Sequence, residues 1–227
     1  ACRIVRIVNE DILALKAVID GTGSLTPQIQ ANASLMMIGW VPTRWEKMWE
    51  GPEMPIDWLR AVLKRKIALK KWVEKCNSGG LLREQLDLSE LLQPGTFLNA
   101  VRQETARVSK LPLDSLVQIS AWDKQLLEAF PIVVEATGLF IQGAAFGSKG
   151  TLQEVGSGDR EMVTVNSVYI AYASPDTPPC YPEGGSMQVP IYYSPTRERV
   201  LTSVNVPIST KEQRWVKSGT ALFMDIV

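Results

Sequence analysis

The glycine-rich stretch from Gly143 to Gly150, Gly-Ala-Ala-Phe-Gly-Ser-Lys-Gly, is the segment whose composition could bind a phosphate group. Glycine loops bind phosphates because their backbone amides converge on the anion while a lysine neutralises its charge. The spacing here does not fit, since the fourth residue after Gly143 is already Gly147, one position too early for the Gly-Lys-Ser/Thr triplet of a phosphate-binding loop. A strand pattern precedes the stretch and no helix pattern follows it, so we predict a hairpin loop.

Histidine is absent from the sequence, and with it the most common general base and metal ligand. Serine or cysteine triads that depend on histidine are therefore excluded. Carboxylate pairs could still transfer protons, but the aspartates and glutamates lie mostly among lysines and arginines on predicted helix faces. We expect a non-catalytic protein with no catalytic, cofactor-binding or metal-binding residue.

A basic helix is predicted between Pro55 and Cys76, with Trp58 and Trp72 at its two ends. Its basic positions are Lys64, Arg65, Lys66, Lys70, Lys71 and Lys75. Helices of this kind bind calmodulin-like proteins or lie on membranes. A solvated face, or a face docked on an acidic neighbour, explains the same pattern. We favour this second interpretation because both tryptophans are expected to belong to the domain's own core.

The overall charge and the cysteines narrow the class of protein further. Lysine plus arginine and aspartate plus glutamate both total 24, so no net field attracts nucleic acid or anionic lipid. Cys2, Cys76 and Cys180 are far apart, and this odd number predicts reduced thiols in the cytosol. No apolar run approaches the roughly 18 residues of a membrane span, and no cleavable leader is apparent. The sequence opens without methionine, so we expect it to be part of a longer, soluble protein.

The hydrophobic pattern changes its period near residue 115. Apolar residues before this point recur at steps of three and four, as on one face of a helix. Predicted helices cover residues 3–20, 26–39, 55–76 and 94–110, and the tryptophans between residues 40 and 58 require a packing surface. Beyond it the period is two, with strands predicted near 117–122, 131–136, 138–143, 163–172, 187–193, 199–206 and 219–226. We predict an α+β fold, with a helical subdomain over residues 1–115 and an antiparallel β-barrel over residues 116–227.

The stretch from Pro94 to Arg107 resembles the signature of the dynein heavy-chain family, a proline-led Phe-Leu-Thr-Ala segment followed by a glutamine and an Ala-Arg pair. The matching positions are Phe97-Leu98, Ala100, Gln103 and Ala106-Arg107. Asn99 replaces the usual threonine, and the wording from Arg102 to Arg107 is most similar to the cytoplasmic dynein of retrograde intraflagellar transport. Other blocks in family order are Val41-Pro42 with Trp45, Gly138 to Ala144, Val189 to Tyr192, Arg197 to Val200, Val206-Pro207 and Trp215 to Leu222.

This resemblance covers nearly the whole sequence and implies the C-terminal domain of a heavy chain, lying across one face of the ring of AAA modules. It implies that ATP and magnesium bind to other parts of the motor, with no cofactor in this segment. The implied partners are the AAA modules of the same heavy chain. The parent complex would bind microtubules, dynein light and intermediate chains and transport particles, in the cytoplasm and the cilium or flagellum.

Two functions follow as alternatives. The first is a regulatory domain that docks on the AAA ring and modulates motility, through Arg102 and Gln103, taken to be exposed, together with Lys64, Arg65, Lys66, Lys70 and Lys71. The second is a free-standing module that uses helix 55–76 or the barrel to bind a peptide, a lipid or a calmodulin-like protein. Under the first, we expect a monomer in isolation that binds neither nucleic acid nor membrane. We also expect Trp215 and Phe97 to be buried core residues.

Overall fold

The computed structural model of the protein describes residues 2–147, 150–154, 162–177 and 185–224. The protein divides into two compact units. The first unit comprises Ala1–Asn77 and Glu90–Leu92, and the second comprises Ser78–Ser89 and Gln93–Val227. Cys180 lies outside the described residues, whereas Cys76 is an exposed free thiol.

The first unit is built from helices whose ends agree with the sequence pattern. They are α1 (Cys2–Ile19), α2 (Pro27–Met37), α3 (Thr43–Glu46) and α4 (Pro55–Asn77). The Thr26 hydroxyl accepts a hydrogen bond from the Ile29 amide at 3.3 Å and caps α2, and Pro27 starts the helix, as predicted. Gly21 follows the end of α1 with a φ of +73°, a left-handed conformation that glycine adopts without strain.

Tryptophans form the core of the first unit. Trp45 and Trp58 are fully buried and stacked, with their ring centroids 5.6 Å apart, and Trp49 lies 5.8 Å from Trp58. The Asp11 carboxylate holds this cluster against α1, because it accepts hydrogen bonds from Trp45 Nε1 at 2.8 Å and from Arg44 Nη1 at 2.9 Å. The predicted packing surface for the tryptophans is thus present, although Trp40 is 65% exposed and lies outside it.

The second unit combines helices with short strands. Its helices are α5 (Pro94–Ser109) and α6 (Glu212–Lys217). Its strands are β1 (Gln85–Asp87), β2 (Val117–Ala121), β3 (Val133–Thr137), β4 (Leu139–Gln142), β5 (Ala145–Phe146), β6 (Leu152–Gln153), β7 (Val163–Val165), β8 (Val168–Ala173), β9 (Ser186–Tyr192), β10 (Val200–Pro207) and β11 (Ala221–Phe223). The α+β assignment is confirmed, with β1, β5, β6 and α6 added to the predicted elements.

The predicted closed barrel is wrong. Over the described residues, the strands form a four-stranded sheet in the order β1-β3-β8-β2, a five-stranded sheet in the order β10-β9-β11-β4-β7, and the hairpin β5-β6. Edge strands β2 and β10 meet through side chains, since Gln118 Nε2 donates to the Ser203 carbonyl at 2.8 Å and the Asn205 amide donates to Ser120 Oγ at 2.8 Å. These bonds join the two edges without a backbone ladder, so the strand pairing stays open.

Two features explain how the sheets share strands and which pairings are parallel. Gly138, with a φ of +73°, separates β3 in one sheet from β4 in the other, and a Cβ there would collide with the Asp87 carboxylate. The pairs β1-β3 and β9-β11 are parallel, whereas the others are antiparallel as expected. Helix α5 contacts β8 and β10, so the compact units divide near Asn77 rather than at the predicted boundary after residue 115.

Candidate docking surfaces

Helix α4 has two different faces. Its inward face packs in the first unit and consists of Trp58, Val62, Arg65, Ala68 and Trp72, which recur every three or four residues. The opposite face carries exposed apolar side chains, Ile56, Leu63 and Ile67, which are 53%, 51% and 64% exposed. Exposed apolar residues grouped on one side of a helix indicate a surface that another protein segment covers.

Four of the predicted docking lysines are exposed on α4, where they surround this apolar stripe. They are Lys64, Lys66, Lys70 and Lys71. We call the three apolar residues and these four lysines the outer face of α4. It combines an apolar centre with a basic margin, and this chemistry suits an acidic surface with apolar contacts.

Arg65 was expected on the docking surface, but the structure buries it, with 7% of its surface exposed. Its guanidinium lies over the Trp49 ring, 4.5 Å from the ring centroid, and Nη1 donates to the Ala61 carbonyl at 3.3 Å. A cation stacked on an aromatic ring in this way stabilises the first unit. Arg65 therefore supports the tryptophan core and does not belong to the outer face of α4.

Trp58 and Trp72, which were considered as anchors for a bound partner, are also buried. Trp58 is 1% exposed and donates from Nε1 to the Trp49 carbonyl at 3.2 Å. Trp72 is 7% exposed and donates from Nε1 to Glu90 Oε2 at 2.7 Å. Both side chains are used inside the first unit, which confirms their interpretation as core residues.

Arg102 and Gln103 lie on α5 in the second unit, so the structure places them in a different compact unit from the α4 lysines. Gln103 is exposed, as expected. The expected exposure of Arg102 is wrong, because the side chain is half-buried and its Nη2 donates to the Leu113 carbonyl at 2.8 Å. Single-turn spacing cannot reveal this contact, which depends on the backbone returning past α5 after Lys110.

The signature segment from Pro94 to Arg107 forms helix α5. Leu98 and Val101 are 4% and 3% exposed and hold the helix on the sheets, whereas Arg107 is exposed and pairs with Glu104 at 3.1 Å. Phe97 is half-buried, so its predicted full burial is wrong. Trp215, by contrast, is 2% exposed and its predicted burial is confirmed.

Four of the other sequence blocks come together in and beside the five-stranded sheet, where β4, β11, β9 and β10 are neighbours. Arg197, at a φ of +59°, connects two of the blocks, because its Nη2 donates to Gln142 Oε1 at 2.9 Å and to the Gly219 carbonyl at 2.7 Å. These contacts are structural, and they explain why blocks that are far apart in sequence occur together.

The glycine-rich stretch forms a hairpin, which confirms that prediction. The Gly147 amide donates to the Thr151 carbonyl at 2.9 Å between β5 and β6, while residues 148 and 149 lie outside the described part. A cavity of about 350 Å³ beside it is lined by Trp122, Gly150, Ser167 and Tyr169, among others. Burial, followed by the nearby Glu135 carboxylate, raises the pKa of Tyr169, so this phenol stays protonated at neutral pH.

Two searches of the described residues were negative. They contain no group of three or more histidines, cysteines, aspartates or glutamates that could hold a metal ion. They also contain no helix that is both long enough and apolar enough to span a membrane.

Comparison with known proteins places these features in a family context. The model of the C-terminal domain of dynein heavy chains matches residues 1–224. Cytoplasmic dynein 2 heavy chain 1 of Mus musculus is 36% identical over 224 residues, and that of Chlamydomonas reinhardtii is 31% identical over 238 residues. Dynein axonemal heavy chain 5 of Mus musculus is 24% identical over 235 residues. These matches cover 98–99% of the sequence, which spans 5% of the length of these relatives.

Proposed function

Since this protein belongs to the C-terminal domain family of dynein heavy chains, we propose that it is a non-catalytic regulatory domain of a cytoplasmic dynein 2 motor. In this proposal it docks on the AAA modules of its own heavy chain and modulates their motion during retrograde intraflagellar transport. The 36% identity to a cytoplasmic dynein 2 heavy chain, against 24% to an axonemal one, supports the choice of motor type.

The outer face of α4 is the observation that carries the docking part of the proposal. Helix α4 already buries its inward face in the tryptophan core, so the exposed Ile56, Leu63 and Ile67 serve no purpose within the first unit. An apolar stripe with lysines at its margin is typical of an interface core with a charged rim. The occupant that fits it is an apolar surface with carboxylates, which we assign to the AAA modules.

The alternative, a free-standing module for a peptide, a lipid or a calmodulin-like protein, has less support. Its aromatic anchors, Trp58 and Trp72, are held inside the first unit by packing and by hydrogen bonds from their indole nitrogens. Amphipathic helices that bind such partners present their bulky anchors outward. The outer face of α4 lacks a tryptophan, and a helix inside a packed domain cannot be enclosed by a partner.

Deleting this domain from the full heavy chain should change motility more than basal ATP turnover. ATP is hydrolysed by AAA modules encoded elsewhere, whereas a docked domain biases their relative positions through a coupling of about 1–3 kcal/mol. Single-molecule run length and stall force should therefore change several-fold, while the ATPase rate without microtubules stays within about twofold.

Either of two results would contradict this proposal. A complete loss of ATPase in the truncated motor would make the domain a requirement for folding or catalysis. Unchanged run lengths and stall forces would mean that no coupling passes through the domain. Circular dichroism of the truncated motor provides the control for intact folding.

A further inference from the structure

A second cavity, of about 340 Å³, lies within the second unit, between α5 and the strands β2, β8 and β10. We call it the Arg102 cavity. It is lined by Gly95, Leu98, Asn99, Arg102, Leu116, Gln118, Tyr172, Leu201 and Thr202. Its volume falls in the range of about 300–1,000 Å³ that small ligand sites occupy.

The charge in this cavity is unbalanced. Arg102 is the sole charged residue among those that line it, and the lining includes no carboxylate. Within the described part of the protein, Arg102 makes one hydrogen bond, from Nη2 to the Leu113 carbonyl at 2.8 Å, and its buried Nε has no acceptor. A guanidinium that is half-buried without an anion is unusual, because burying a charge is costly unless the charge is paired.

Further donors of the cavity also lack acceptors. Tyr172 is 93% buried, and its hydroxyl has no hydrogen-bond partner among the described residues; burial raises its pKa against the opposing effect of Arg102, which keeps it a donor. The side-chain amide of Asn99 likewise has no partner within the described ranges. Gln118 is already engaged, as Thr202 Oγ1 donates to its Oε1 at 2.6 Å and its Nε2 donates to the Ser203 carbonyl at 2.8 Å.

The chemistry left over is therefore that of donors around a single positive charge, with an aliphatic wall formed by Leu98, Leu116 and Leu201. One guanidinium matches one carboxylate, because its planar fork fits the two oxygens, and a dianionic phosphate would keep an uncompensated charge. The aliphatic wall suits a short hydrocarbon stem, as in a glutamate side chain.

We propose that the Arg102 cavity binds a carboxylate group on an aliphatic stem, with Arg102, Tyr172 and Asn99 as its hydrogen-bond donors. This site is separate from the outer face of α4, and it does not depend on the assignment to a motor. The carboxylate has two possible sources, a glutamate of a peptide segment or a free small acid, and the test separates them.

The test uses the 227-residue protein, with NMR titrations of three probes. They are butyrate, the blocked tripeptide acetyl-Leu-Glu-Leu-amide, and its uncharged counterpart with glutamine. We expect the glutamate peptide to shift the Arg102 Nε–H signal and to bind with a Kd near ~1 mM, at least about tenfold tighter than the glutamine peptide. Butyrate binding as tightly as the glutamate peptide would assign the site to free acids, and weaker butyrate binding would assign it to a peptide segment.

Variants test the assignment of the donors. Arg102→Gln should weaken binding of the glutamate peptide about tenfold or more, and Tyr172→Phe about threefold to tenfold. Arg107→Gln is the matched control, because Arg107 lies on the same helix but is exposed and paired with Glu104, and it should leave the affinity unchanged. Should Arg102→Gln not fold, Tyr172→Phe and Asn99→Leu decide the outcome, since neither side chain has a hydrogen bond to lose among the described residues.

Three results would overturn the proposal. The first is equal binding of the glutamate and glutamine peptides, which would make the charge irrelevant. The second is an unchanged affinity in a folded Arg102→Gln variant or in both Tyr172→Phe and Asn99→Leu. The third is an equal loss of affinity in Arg107→Gln, which would indicate a nonspecific effect of net charge.

Discussion

Trp215→Ala should lower the free energy of unfolding by about 3–5 kcal/mol, the range for removing a large aromatic side chain from a core. Trp215 lies in α6, is 2% exposed, and its carbonyl accepts hydrogen bonds from the Thr220 amide at 3.0 Å and from Ser218 Oγ at 2.9 Å. The indole therefore fixes the turn that leads from α6 into β11, a strand at the centre of the five-stranded sheet.

Urea denaturation followed by circular dichroism measures this loss. Trp40→Ala is the matched control, since Trp40 is 65% exposed and its removal should cost less than about 0.5 kcal/mol. Trp215→Phe should cost less than Trp215→Ala, because it keeps a ring and removes Nε1, a buried donor without a partner among the described residues. If Trp215→Ala and Trp40→Ala denature at the same urea concentration, the described burial of Trp215 is incorrect.

Asp11→Ala should destabilise the first unit by about 3 kcal/mol. The Asp11 carboxylate is 8% exposed and receives two charge-assisted hydrogen bonds, from Trp45 Nε1 and from Arg44 Nη1. Its removal leaves the indole N–H of a fully buried tryptophan without an acceptor, which alone costs about 1–3 kcal/mol, and the bond to the half-exposed Arg44 contributes less because water screens it.

Asp57→Ala provides the control for this prediction. Asp57 also pairs with an arginine, Arg60 at 3.1 Å, but both side chains are largely exposed, so the change should cost under about 1 kcal/mol. Asp11→Asn should fall between the two, since the amide oxygen still accepts from Trp45 while the charge opposite Arg44 is lost. A denaturation midpoint for Asp11→Ala that equals the midpoint for Asp57→Ala would show that the carboxylate does not hold the tryptophan core.

The helices could be predicted because local signals set them. Thr26 followed by Pro27 defines the start of α2, Gly21 ends α1, and apolar spacing marks α4. Helix α6 was missed because its six residues are too few to show a helical period between two strands. The open sheets could not be predicted, since alternation assigns strands and faces but does not reveal that Gln118 and Ser120 join β2 to β10 through their side chains.

Prediction of the docking residues met the same limit. The exposed lysines of α4 followed from helical spacing, but Arg65 was misplaced because a basic residue in a basic run looks solvated until Trp49 is seen beneath its guanidinium. Arg102 was misplaced because the carbonyl that binds it, that of Leu113, belongs to the segment that follows the end of the helix. Contacts between distant segments therefore decide which charged side chains remain available to a partner.

Cross-linking of the intact heavy chain through its lysines is the most direct measurement of the docking proposal. We predict that Lys64, Lys66, Lys70 and Lys71 cross-link to acidic regions of the AAA modules, whereas Lys16, an exposed lysine on α1, does so far less. Replacing the four α4 lysines by glutamate should abolish these cross-links and reproduce part of the motility change of the deletion, with the unfolding free energy of the isolated domain unchanged. If the α4 lysines cross-link no more than Lys16, and the glutamate variant moves as the wild type does, the outer face of α4 is not a docking surface and the proposal is contradicted.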